Sequence, residues 1–154
     1  MSAEPLFFEE VLDALTGSVA GEFGRLFSSV HRGGLKVWFD EPHREHYETQ
    51  LMRGDHGLVL EVGFHCEHPK VGLNVDALAP LAAAESAWRE ALGDEPVMGE
   101  FLGRSTWRRI SECWEAPPLD DTDDLIDAAI EVAERLGDYI RALEPLRRTV
   151  SISR

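Results

Sequence analysis

The sequence predicts a single α+β domain: a largely antiparallel sheet of five strands with helices packed on one face, in the order α-β-β-β-α-β-β-α. Two observations carry this. Alternating apolar and polar residues recur in neighbouring segments joined by short glycine-containing turns, which read as β-hairpins. Apolar stripes at three- and four-residue spacing open the chain, close it and divide the two groups of hairpins. A chain of 154 residues makes one domain of that kind.

Leu6 to Val30 reads as the first helix, its stripe formed by Phe8, Val11, Leu12, Leu15, Val19, Phe23, Leu26, Phe27 and Val30. Gly17, Ala20, Gly21 and Gly24 interrupt it, for a close crossing or a split into two helices, and Gly33-Gly34 stops it. One ring of the Phe7–Phe8 pair is expected at the surface, where it would suit a partner. Leu35 to Asp40 alternates as the first strand, ended by Pro42. Arg44 to Arg53 and Leu58 to Cys66 form the next two strands, with Tyr47, Thr49 and Leu51 of the one and Leu60, Val62 and Phe64 of the other facing the core. A two-residue turn at Gly54-Asp55, type II′, would join them. Asn74 to Leu92 is the second helix, capped by Asn74 or Asp76 and stopped by Gly93. Val97 to Leu102 and Ser105 to Trp114 form the second hairpin. Thr122 to Glu144 is the last helix, with acidic residues suited to the positive end of its dipole and Ile126, Ala129, Ile130, Ala133, Leu136, Ile140 and Leu143 as its buried stripe. Pro145 ends it. Residues 1–145 are thus the domain, and 146–154 a basic flexible tail.

The formal net charge is −14. A duplex nucleic-acid binder or a protein docking on an anionic membrane would carry a basic face, so both are excluded as partners. The first ten residues lack the basic start and apolar run of a secretory leader, and no membrane-spanning run occurs. A cytoplasmic location is expected, with Cys66 and Cys113 as reduced, buried thiols, though a single disulfide between them stays open. Only two lysines and two side-chain amides occur, a skew that fits a GC-rich bacterial genome.

Element order, size and acidity together resemble the small type III secretion chaperones. That resemblance implies a cytosolic, non-enzymatic homodimer that holds an extended segment of a partner protein against its sheet and helices, with no cofactor. It assigns no binding residue.

The most informative residues lie on the hairpin's other face. Period-two alternation puts His46, Glu48, Glu61, His65 and Glu67 on one patch. A turn at Gly54-Asp55 sets Glu48 opposite Glu61; a turn one residue later sets His46 opposite His65. Opposed like charges are unfavourable and call for a raised pKa, an arginine (Arg108 or Arg109) or a divalent cation. As a solvated or dimer face the patch needs no further chemistry. As a site it suits Zn or Mn better than Ca, and the alternative function is a metal-dependent hydrolase with Glu48 or Glu61 as general base and the other residues as ligands. Gly63, mid-strand, marks a close approach of ligand or backbone. His43, His56 and His68 read as loop residues. His43-Arg44-Glu45-His46 falls one residue short of an inverted zinc motif. Phosphate-binding loops, nucleophile elbows and Cys-x-x-Cys pairs are absent, and Arg147-Arg148-Thr149-Val150-Ser151 resembles a basic kinase site within the tail.

Overall fold

The computed structural model describes residues 3–39, 43–101 and 103–152, the last four as backbone only. The expectations about Asp40, Pro42, Leu102 and the side chains of Thr149, Val150 and Ser151 lie outside the described residues. The chain is α+β, with one antiparallel sheet of six strands and four helices. In order, these are α1 (Glu4–Val19), β1 (Phe27–His31), β2 (Gly34–Trp38), β3 (Glu45–Gly54), β4 (Gly57–Cys66), α2 (Val71–Ala83), α3 (Glu85–Leu92), β5 (Val97–Phe101), β6 (Arg104–Glu115) and α4 (Thr122–Ile152). The strands lie side by side as β1-β2-β3-β4-β6-β5.

The sixth strand is the main correction. Phe27 to His31 is not the end of the first helix but an edge strand paired with β2. Gly21 and Gly24, at φ +74° and +86°, let the chain turn back after Val19, a conformation that costs glycine little. The second helix is also two. The fully buried Trp88 donates its indole N–H to the Leu81 carbonyl at 2.7 Å. That carbonyl also accepts the Ala84 backbone N–H at 3.2 Å, a tightened last turn where α2 meets α3. Asn74 caps nothing; it is buried inside α2, accepts from the His68 backbone N–H at 2.7 Å and donates to the carbonyls of His68 and Thr106. Pro145 does not end α4, which runs on to Ile152. There Arg147 and Arg148 tie its last turns to Glu144, Glu45 and the Phe23 carbonyl.

The core lies between one sheet face and the helices. Leu35, Val37, Tyr47, Leu60, Val62, Phe64, Cys66 and Ile110 point into it from the strands, meeting α1, α4 and α2. Phe7 and Phe8 are both fully buried, so neither offers a surface ring. On α4 the buried stripe starts at Leu125, Ala129 and Val132, while Ile126 and Ile130 are exposed. Both cysteines are free; Cys66 is core, its thiol pushed up by burial, but Cys113 is exposed. Among the described residues no helix is long and apolar enough to cross a membrane.

Candidate metal centre

Register decides which side chains meet on the opposite face. Gly54 pairs with Gly57, so the turn is Asp55-His56 and not Gly54-Asp55. Neither turn residue has positive φ, so the turn is not type II′. In this register His46 lies opposite His65, Glu48 opposite Gly63, and Gln50 opposite Glu61. The direct Glu48–Glu61 opposition therefore does not occur. Gly63 serves backbone packing: a Cβ there would stand 2.3 Å from the Ile110 carbonyl oxygen and 2.5 Å from Ser111 Cα. Strand β6 can thus close against β4 and bring Ser111 and Arg109 under the patch. Arg109, paired with His65, is the arginine on this face.

The five residues expected on one patch share it, but the patch is not solvated. His46, Glu48, Glu61 and His65 are at most 2% exposed and Glu67 is 8% exposed. Among the described residues the helices pack on the opposite, core-facing side of the sheet. The cover comes from the β5–β6 hairpin, which is irregular at Glu100/Phe101. The Phe101 ring stands edge-on to His65 at 4.6 Å, with Trp107 beyond it at 5.6 Å.

The two imidazoles converge on two carboxylates. His46 Nε2 lies 2.9 Å from Glu48 Oε1 and 3.4 Å from Glu67 Oε2. His65 Nδ1 lies 3.0 Å and 3.3 Å from the same two atoms. One donor atom from each of the four residues falls within 4.8 Å of all the others. Opposed ligands on a cation with bonds of about 2.1 Å stand about 4.2 Å apart, so small side-chain rotations close the set.

The remaining ring nitrogens are held from behind. His46 Nδ1 donates to the His43 carbonyl at 2.8 Å, and His65 Nε2 to Glu61 Oε2 at 3.0 Å. Glu61 is itself fixed, accepting from Gln50 at 2.7 Å and from Ser111 Oγ at 2.6 Å, while Ser111 accepts from Arg109 at 2.8 Å. An outer carbonyl or carboxylate on the far nitrogen is how metal-binding histidines are oriented. Glu61 therefore stands behind His65, outside the convergent set, with both oxygens engaged.

Hydrogen-bond accounting follows. Each of the four ring nitrogens faces an oxygen, so where Glu48 and Glu67 are carboxylates both rings donate from both nitrogens as imidazolium. Burial acts to lower both histidines, but contacts with Glu48, Glu61 and Glu67 outweigh it and raise them, His65 strongly. Burial acts to raise Glu48 and Glu67, yet hydrogen bonds from the two histidines hold both low, Glu48 at about 2. The two inward-facing protons carry the charge of one divalent cation. A cation can replace them with no change in net charge.

Above the centre opens a cavity of about 510 Å³ that reaches Glu48 and Glu67 and is flanked by His31, Lys36, Phe101, Arg104 and Trp107. His31 was hidden within the misread helix boundary. Its ring lies over Gly34, where a Cβ would meet Cε1 at 2.5 Å, and Nε2 reaches to 3.4 Å from Glu48 Oε2. In the sequence the Gly33-Gly34 pair beside a histidine is the one signal for it, and that pair also fits a helix stop. Of the other histidines, His68 pairs with Glu45 at 2.8 Å and His56 sits in the turn.

Compared with family models, curated proteins and solved structures, the chain finds no match in any of the three.

Proposed function

We propose that the chain is a metal-dependent protein acting on a small molecule, with His46, Glu48, His65 and Glu67 as ligands to a divalent cation of the Zn or Mn class. The observation behind this is the convergence of four buried donor atoms, two of them imidazole nitrogens whose opposite nitrogens are already held. Mixed nitrogen and carboxylate ligation favours Zn, Mn or Fe over Ca. Four protein ligands leave room in a five- or six-coordinate shell for water or substrate on the cavity side. A cation there would polarise a bound carbonyl or lower the pKa of a bound water, which makes hydrolysis the reaction class this reading favours.

Glu61 acts in this reading as the orienting partner of His65, and the role of base falls to a cavity-side group. We rank this reading above a chaperone-like cytoplasmic homodimer, which rests on the element order expected from the sequence and on acidity and draws no residue from the site. Metal analysis of the purified protein and calorimetric titration with Mn²⁺ and Zn²⁺ test it. Stoichiometric binding that is lost in Glu48→Gln and His65→Ala is expected. No binding by the folded protein would overturn the proposal.

A further inference from the structure

The cavity above the centre has a charge pattern of its own. Glu48 and Glu67 are taken up by the four-donor set, and Glu61 is engaged by Gln50, Ser111 and His65. Arg109 is 7% exposed, has no carboxylate within ion-pair distance among the described residues, and sits behind Glu61 through Ser111. With a divalent cation in place, the three carboxylates are balanced by the cation and Arg109. Lys36, paired with Glu67, and Arg104 then add positive charge in excess of that balance at the cavity wall.

Lys36 Nζ is hydrogen-bonded and ion-paired to Glu67 Oε1 at 3.4 Å, and its side chain is one-third exposed at the cavity wall. Arg104 is exposed and lies over the Trp107 ring at 4.7 Å, with no carboxylate partner among the described residues. Around them the wall is aromatic: Phe101 is nearly buried and Trp107 half-buried. In a chain of net charge −14, a cavity with two lysine and arginine cations at its walls and a cation site at its floor is a local reversal of sign. Lined in this way, it selects for negative charge and for a flat apolar body.

Resting on the metal reading above, we infer that the cavity takes a small organic anion with a planar apolar group, its charge held by Lys36, Arg104 and the bound cation and its ring laid against Phe101 and Trp107. His31 stands at the edge of the same cavity, with its Nε2 turned toward Glu48 Oε2 at 3.4 Å.

The experiment has two stages. Metal affinity is measured first by calorimetry, and a folded protein that binds neither Mn²⁺ nor Zn²⁺ overturns the metal reading and this inference with it. The metal-loaded protein is then titrated with benzoate, with benzyl alcohol and benzylamine as the same ring without the negative charge, and with acetate as the same charge without the ring. Saturable benzoate binding is expected, with acetate, benzyl alcohol and benzylamine each at least about tenfold weaker. Arg104→Met, at an exposed position away from the ligands, should weaken benzoate about tenfold or more while leaving metal affinity within about threefold, since a charge-assisted contact is worth that much. If metal binds but benzoate does not, if benzyl alcohol binds as well as benzoate, or if Arg104→Met leaves benzoate unchanged, the inference fails and the metal reading stands.

Discussion

The two faces of the sheet each bury carboxyl groups, and they hold them differently. On the helix-packed face Glu144 is fully buried and accepts from Tyr47 Oη at 2.9 Å, from Arg148 Nε at 3.1 Å and from Arg147. On the open face Glu48 and Glu67 accept from His46 and His65. Guanidinium stays charged at any working pH. Imidazolium does not, and its proton can be exchanged for a metal. The first cluster is therefore a permanent clamp between α4 and β3. The second is held together by charges that can leave.

The contrast breaks most visibly on adding metal. Free Mn²⁺ or Zn²⁺ at about a thousandfold above its dissociation constant should stabilise the protein by about 4 kcal/mol. For a chain of this size that is a rise of roughly 10 °C in melting temperature; Glu48→Gln should abolish it. Glu144→Ala should act the other way round. It leaves guanidinium and phenol groups without their buried partner, for a loss of about 3 kcal/mol in chemical denaturation. Metal affinity by calorimetry should stay within about threefold. A large change would mean that the two faces are coupled.

A smaller effect separates ligand from support. Glu61→Ala removes the acceptor that orients His65 and should weaken metal binding by roughly 10- to 100-fold, readable by competition with a chelating dye. An effect as large as that of His65→Ala would put Glu61 in the ligand set instead.

The pH profile is the finest test. After chelation, the depressed carboxylates contribute stability above their ordinary value near 4.5, lost as pH falls toward about 2 for Glu48. The raised histidines contribute below their ordinary value near 6.5, lost as pH climbs through their elevated values. The melting temperature of the chelated protein should peak between about pH 4.5 and 6.5. Metal loading should shift the peak upward, because the cation competes with protons for the same nitrogens. A flat profile would show that the rings are already neutral.

How far the sequence reaches is seen in the same residues. The face shared by His46, Glu48, Glu61, His65 and Glu67 follows from two-residue periodicity alone. Their burial does not, because it depends on where a hairpin forty residues later, at Phe101 and Trp107, comes to lie. The edge strand was missed for a local reason. Phe23, Leu26, Phe27 and Val30 fit helical spacing as well as any real stripe, and five residues of half-exposed edge strand carry little alternation to oppose it. Pro145 signals a helix end by its usual effect on the backbone. The ties from Arg147 and Arg148 that override it span more than a hundred residues of sequence.

The Asp55-His56 tip carries a consequence for how this chain tolerates change. It lies about 20 Å from Glu48 along β3, at about 3.3 Å per residue, and supplies no donor to the centre. Yet its length sets which residue meets which. A slip of one residue in the hairpin would turn the acids and imidazoles toward the aliphatic core. A slip of two would keep the face but set Glu48 against Glu61 and part His46 from His65. Surface loops normally absorb insertions and deletions freely; this one should be held to a fixed length, and a single-residue indel there should silence the site as surely as removing a ligand.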